Sequence, residues 1–276
     1  MKLWVNFDSN PDGSFTKGDY LIRAANRMGL NVKKWKPNTE VENVLNIEPY
    51  TNYIYGSKWS GLWEIDVLCD RPQMSETDWA ISNTVYTAVS IVPKRMSKIK
   101  KPKLLLQAID KDIHKRYQNI PQEYDFVLCG TNGMDIYKER ERLISLIKKE
   151  FTYKDYGKGH TQDQFIKNLN TAKVQWIRSM NTQIADGELA QRFFECLSIG
   201  PVLTNWVPDL GETKLIEGED YLSYKDDKEL LNKFYTLLED KKLRNKIAES
   251  GRKKGLRYHT FENRLQTIFK DINGGN

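Results

Sequence analysis

Residues 188–204, ELAQRFFECLSIGPVLT, decide how this chain is read. The run predicts a short helix, a glycine stop and the start of a buried strand. At 100° per residue, Glu188, Arg192 and Glu195 share one helix face, spaced i, i+4, i+7. Leu189, Phe193, Cys196 and Leu197 form an adjacent apolar face. Gly200 and Pro201 then end the helix. With the apolar face docked on a sheet, a carboxylate–guanidinium–carboxylate row is left near the helix start. Glutamate accepts hydrogen bonds from hydroxyls, and arginine grips phosphate oxygens in a two-pronged fork. The same spacing also suits a salt-bridge ladder beside a core face.

Outward from this stretch, strands and helices alternate with short connections. Residues 2–7, 30–35, 41–47, 63–69 and 104–106 read as strands, with short apolar runs at 78–82 and 89–92. Residues 17–28 read as a helix closed by Gly29. The pattern restarts at 124–129, YDFVLC. A helix over 137–150, a strand at 151–153, a helix over 162–172 and a strand at 173–177 follow. After the helix and strand of the opening stretch come helices at 228–238, 242–250 and 260–272. Such alternation implies an α/β fold with parallel sheets and right-handed crossovers. The restart implies two units, with Pro121 and the polar residues 117–123 as a linker. Two facing α/β units bind ligands beyond the carboxyl ends of their strands.

The chain has 276 residues, 39% of them hydrophobic and 11% aromatic, enough for real cores. No apolar run reaches the roughly 18–20 residues that span a bilayer, and the start lacks a signal-peptide core. A cytoplasmic protein with no membrane span is expected. Cys69, Cys129 and Cys196 are few, odd in number and far apart, which suits buried thiols better than disulfides or a zinc site. Three histidines, His114, His160 and His259, make a histidine-rich metal centre unlikely on numbers alone. The net charge of +6 favours a polyanionic partner. Basic residues cluster at 33–36, 94–103 and 241–257, where they suit either solvated surface or attraction to nucleotide or nucleic-acid phosphates.

Several loops could carry chemistry. Cys129-Gly130-Thr131-Asn132-Gly133 follows a strand and precedes a helix, so bare backbone there can approach a phosphate. Arg140 lies one turn into that helix, and Arg178 opens the loop after the strand at 173–177. Gly13, Ser14, Lys17 and Gly18 could meet a diphosphate, or form a solvated turn. Asp8, Asp19 and Asp70 are the candidate general bases toward an acceptor hydroxyl; each also suits a helix cap or turn. Tyr50, Tyr53, Tyr55, Trp59 and Trp63 form an aromatic cluster that suits stacking or core. There is no GxSxG, HExxH or CxxC, and no GxGxxG with its following acid, which argues against acyl hydrolases, zincins, thiol redox enzymes and nicotinamide dehydrogenases.

Five stretches taken together resemble the CgeB-like, spore-maturation type of glycosyltransferase, and more distantly the C-terminal domain of GT-B glycosyltransferases. They are LLLQAIDKDIHKRY, YDFVLCGTNGMDIYKERERLISLI, LAQRFFECLSIGPVLTNWVPDL, IEGEDYLSYKDDKELLNKFYTLLED and IAESGRKKGLRYHTFENRL, covering most of 104–268. The resemblance implies two facing Rossmann-like domains: 1–118 on the acceptor side, 119–258 binding a nucleotide sugar, and 259–276 as a helix returning to the first. It implies transfer of a sugar from a nucleotide-sugar donor, a UDP-sugar first, with no metal required. Glu195 would hold the donor ribose, Arg192 would neighbour the diphosphate, and Gly130 and Thr131 would line the donor pocket. The family's first motif glutamate lies eight positions before the second. That position is Gly187 here, with Asp186 and Glu188 beside it, and Glu188 is the candidate sugar ligand. The acceptor stays open between a hydroxylated base in DNA, envelope or spore glycans, and small molecules. A degenerate domain that only binds nucleotide or nucleic acid is the non-enzymatic alternative.

Overall fold

The computed structural model describes residues 1–7, 16–47, 54, 56–64, 80–88, 101–130, 137–185, 187–207 and 213–274. The chain divides into two compact units. One comprises Met1–Gln107, Ala185–Glu188 and Phe261–Asn276, the other Ala108–Ile184 and Leu189–Thr260. The division therefore falls at Gln107/Ala108, some ten residues ahead of the expected linker.

The first unit holds β1 (Lys2–Asn6), β2 (Asn31–Lys34), β3 (Asn43–Ile47), β4 (Trp59–Glu64), β5 (Thr84–Thr87) and β6 (Lys103–Leu104). All are parallel, in the order β2-β1-β3-β4-β5-β6. Every residue of β3 is buried, as expected for a parallel sheet covered on both faces. Helix α1 (Lys17–Arg27) buries Tyr20, Leu21, Ala24 and Ala25. The chain's last helix, α8 (Phe261–Gly274), belongs to this unit. The Phe261 ring stacks on Tyr20 at 5.2 Å, and Arg27 meets Glu262 at 2.8 Å. Arg264, only 7% exposed, donates to the carbonyls of Leu106 and Gln107. Burial alone pulls its pKa down to about 10.

The second unit holds β7 (Phe126–Leu128), α2 (Lys138–Ile147), β8 (Tyr153–Asp155), α3 (Gln162–Asn170), β9 (Gln175–Ile177) and α4 (Asn181–Ala185). These are followed by α5 (Gln191–Leu197), β10 (Val202–Asn205), β11 (Leu222–Tyr224), α6 (Asp227–Glu239) and α7 (Lys241–Tyr258). β8 pairs with β7, and β9-β10-β11 form a second parallel ladder. The lead into β7 joins the two: Lys173 N–H donates to Tyr124 O at 2.8 Å and Val174 N–H to Asp125 O at 2.9 Å. The order is thus β8-β7-β9-β10-β11, with the Phe126 ring in contact with those of Tyr153, Trp176 and Phe234 in the core.

Several elements differ from the sequence reading. β4 begins at Trp59 instead of 63, and buries Trp59 and Trp63; the Trp63 indole donates to Leu105 O. Tyr50, Tyr53 and Tyr55 lie outside the described residues. β5 and β11 were not foreseen. Helix α7 continues past Gly251 to Tyr258, because Gly251 and Gly255 are contact points there and not a stop. A methyl group on Gly251 would lie 2.3 Å from Asp220 O and 2.9 Å from the Leu197 side chain. Lastly, α5 starts at Gln191 and not at Glu188. Gly187 takes φ +67°, and Ala190, at ψ 153°, is extended.

Candidate active site

In the second unit the chain leaves β7 for β8 on one side and returns to β9 on the other. This reversal is the topological switch point, where α/β sheets open a crevice at the carboxyl ends of the strands. A cavity of about 380 Å³ sits there. It is lined by Cys129 and Gly130 after β7, by Arg178 and Ser179 after β9, by Tyr137 and Arg140 at the start of α2, and by Arg192 from α5. Gly130 takes φ +153°, a conformation that side-chain-bearing residues rarely adopt, and its N–H donates to Gly157 O at 2.7 Å. Bare backbone thus borders the cavity at the end of β7.

Three guanidinium groups converge on this space. Arg192 donates from Nη1 to Cys129 O at 3.2 Å, lies 4.1 Å over the Phe165 ring, and keeps its side chain one-third exposed. Arg140 lies 4.0 Å over the Tyr137 ring. Burial first, and the charge of Arg192 among the lesser causes, lower the Arg140 pKa. These two cations therefore feel each other, and an anion between them would be drawn in. Arg178 donates to Asn181 Oδ1 at 2.6 Å and to Ser179 O.

Glu195 does not line the cavity. Its Oε2 holds Arg192 Nε at 3.2 Å, and its Oε1 faces His114 Nε2 at 3.6 Å. His114 is 1% exposed, and its Nδ1 accepts the Asp110 N–H at 3.0 Å. That bond assigns the ring proton to Nε2, on the side of Glu195. Burial lowers the His114 pKa, with Arg192 adding to it and Glu195 and Asp110 opposing, so the ring is neutral at pH 7. The arrangement is a buried support in which a neutral imidazole faces a carboxylate, and the carboxylate fixes a guanidinium at the cavity wall.

The predicted row is therefore divided. Arg192 and Glu195 remain adjacent on α5, while Glu188 lies in the first unit. It is 2% exposed and accepts from Gln107 Nε2 at 3.0 Å. Asp19 closes a capping box at the start of α1, accepting from Thr16 N–H and Oγ1 at 2.8 Å each. Lys17 is the first residue of that helix. Asp8, Asp70, Thr131 and Asp186 lie outside the described residues. His160 Nε2 is 2.7 Å from Tyr156 O, and His259, 3% exposed, is 2.6 Å from Thr213 O and packs on Phe194. Burial raises the Cys129 pKa to about 12, which makes that thiol a poor nucleophile. His114 and Tyr137 were missed. The i, i+4 pair Asp110/His114 was the available signal for the first. Among the described residues, no group of three His, Cys, Asp or Glu side chains could hold a metal ion, and no helix is long and apolar enough to cross a membrane.

A family model described as glycosyl transferase-like matches residues 103–270. No curated protein matches the chain in sequence. Among solved structures, HepE of Anabaena, in complex with UDP and glucose, superposes with a TM-score of 0.62 at 9% identity, covering 99% of this chain and 100% of that one. A sucrose-phosphate synthase from Thermosynechococcus elongatus gives 0.62 at 12% identity, with all of both chains covered. The DNA-modifying enzyme β-glucosyltransferase, studied with uridine diphosphoglucose, gives 0.61 at 12% identity over 99% of this chain and 100% of that one. At these identities the likeness establishes the fold: α/β with parallel sheets, as in GT-B glycosyltransferases.

Proposed function

The chain belongs to the glycosyl transferase-like family and is a glycosyltransferase, and we propose that its donor is a UDP-sugar bound in the switch-point cavity of the second unit. The observation that carries this reading is the convergence of Arg140, Arg178 and Arg192 on a cavity edged by bare backbone at Gly130. A diphosphate fits such a site: guanidinium forks match its oxygens, and three cations meet the charge that grows on the leaving group. UDP and glucose are bound by HepE, which shares the fold. In this reading the charge of the leaving UDP is met by arginine, and no metal is required.

The acceptor hydroxyl oxygen forms a bond to the anomeric carbon as the bond from that carbon to the diphosphate oxygen breaks. UDP leaves with the electron pair, and the hydroxyl proton passes to a base. Asp8 and Asp70 are the proposed bases, since the carboxylate of Asp19 is held in its capping box. Glu195 was expected on the ribose. We assign it instead the support of Arg192, through which its loss would reach the donor.

Within the family, the finer kinship we propose is with the CgeB-like, spore-maturation type, on the five stretches quoted above. For the acceptor we propose a hydroxylated base in DNA. The net charge of +6 supports that choice, and an enzyme of the same fold modifies DNA. Envelope or spore glycans and small molecules are the competing acceptors, and salt separates them: transfer to DNA falls steeply with ionic strength, and transfer to a neutral saccharide does not.

The test is a melting-temperature screen against UDP, GDP, ADP, TDP and CMP, followed by UDP-sugar hydrolysis without acceptor. UDP should raise the melting temperature, because a ligand that binds only the native state stabilises it. Absence of stabilisation by any nucleotide would overturn the donor assignment. Binding without hydrolysis or transfer would favour the degenerate binding domain.

A further inference from the structure

Helix α7 carries the positive charge of the whole chain. Eight of its eighteen residues are Lys or Arg and one, Glu249, is acidic, a net of +7 against +6 for all 276 residues. Some of these cations serve the fold. Lys254 pairs with Asp220 at 2.6 Å, and Arg252 with Glu249 at 3.9 Å. Arg244 donates to the carbonyls of Leu237 and Leu238 at the end of α6. The others, Lys241, Lys242, Lys246, Lys253 and Arg257, are all exposed. The four lysines among them form no ion pair among the described residues, and the Arg257 guanidinium lies 5.0 Å over the Tyr258 ring.

These cations are ordered along the helix. Lys242, Lys246, Lys253 and Arg257 are spaced i, i+4, i+11, i+15, which keeps them within about 60° of arc at 100° per residue. At 1.5 Å per residue the stripe runs about 22 Å. The opposite side is committed to the unit's own interior: Ile247, Ala248, Gly251 and Gly255 are buried, and Gly251 and Gly255 bring the helix close against Leu197. A rigid row of cations held at fixed spacing is suited to a row of phosphates.

We infer that the exposed stripe of α7 binds the phosphate backbone of a nucleic acid, DNA in the first instance. The inference deepens the DNA-acceptor reading and rests on it for biological sense. An anionic membrane would be the other polyanion. A helix that lies on a membrane inserts large apolar side chains beside its basic ones. The exposed large apolar residues among those described are Met1, Ile81, Trp206, Ile216 and Tyr235, none of them on α7, so nucleic acid is favoured.

The test is fluorescence anisotropy of a labelled 20-base-pair duplex against the full chain, from 50 to 200 mM KCl. Four phosphate contacts give a slope of log K against log salt of about −3.6, hence a loss of about 150-fold over this range. The variant K242Q/K246Q/K253Q should flatten the slope by about 2.7, leaving a loss of about 3- to 4-fold. A control, K148Q/K149Q/K158Q, removes the same charge from other exposed positions of the second unit and should keep the wild-type slope. Equal slopes for wild type and the α7 variant, equal flattening in the control, or binding to phosphatidylserine vesicles without binding to the duplex would each overturn the inference. UDP stabilisation is measured on the same samples. Its absence in the wild type would sink the donor reading alone, and its retention in the α7 variant certifies the fold.

Discussion

Replacing Gly251 with alanine should destabilise the second unit, although general helix energetics argue the reverse. Gly251 lies well inside α7, where glycine costs about 1 kcal/mol relative to alanine. The structure decides the sign. The added methyl would stand 2.3 Å from the backbone oxygen of Asp220 and 2.9 Å from Leu197 Cδ2. The leucine can rotate, but the Asp220 carbonyl cannot easily withdraw. The Asp220 carboxylate is 1% exposed and is tied to Ser250 Oγ at 2.5 Å, Lys254 Nζ at 2.6 Å and Ile216 N–H at 2.7 Å. Two of those anchors are on α7 itself, so the helix and this segment must part together. Overpacking against a fixed backbone falls at the upper end of the usual range, about 3 kcal/mol. After the helix-propensity gain, the net loss is about 2 kcal/mol. For a unit of this size that corresponds to a fall of roughly 4–8 °C in melting temperature. Gly255→Ala is the internal comparison, since its methyl would meet the end of the Ile109 side chain at 3.0 Å, which can yield. Urea and thermal melts of both variants measure the difference. A Gly251→Ala protein as stable as wild type, or more so, would refute the reasoning.

Further predictions follow from the buried polar groups. Arg192→Ala should weaken UDP binding about 10- to 150-fold by calorimetry, the range for losing one charge-assisted hydrogen bond of about 1.5–3 kcal/mol. His114→Gln should weaken it by a smaller factor, acting through Glu195. Because burial lowers the His114 pKa, its neutral form contributes stability above the ordinary pKa of about 6.5, and that contribution is lost as pH falls below it. The acid-side loss of melting temperature should therefore shrink in His114→Gln. Arg264→Leu strips the donors from two buried carbonyls and should cost about 2–4 kcal/mol in urea melts, with Arg264→Lys recovering part. Burial pushes the Asp220 pKa up, but Lys254, Ser250 and the Ile216 amide together bring it below the ordinary value. The stability gap between wild type and Asp220→Asn should thus be full near neutrality and close as pH falls below about 3.9.

The parallel architecture was legible because buried strands such as the one ending at Leu128 read as short apolar runs between turn residues. What failed were signals that depend on distant partners. Gly251 looks like a helix stop until Asp220 and Leu197 are seen against it. Residues 222–224 are too short a run to stand out, yet they complete a ladder begun by β10. The helix at Glu188 was extended too far because its apolar spacing continues, while Gly187 and the Gln107 contact hold that residue in extended chain. In the candidate site, Gly130, Arg178 and Arg192 were legible from their places at strand ends and on α5. The role of Glu195 toward Arg192, and the presence of His114 behind it, depend on a loop brought in from far along the sequence.

Because the first unit takes its last helix from residues 261–274, it is a discontinuous assembly. A ribosome finishes its six strands long before it emits the helix that covers Tyr20 and Arg27, so this unit must wait, incompletely covered, while the other is synthesised. Splitting the gene after Gln107 would give a sheet lacking its own last helix. Met1 and Ile272, however, border one cavity of about 510 Å³, so the start of β1 and the last turns of α8 lie close. Joining them through a short linker and reopening the chain at Gln107/Ala108 would place the helix upstream of β1 on one continuous segment. Such a circular permutant should fold its strand-rich unit without waiting for the rest.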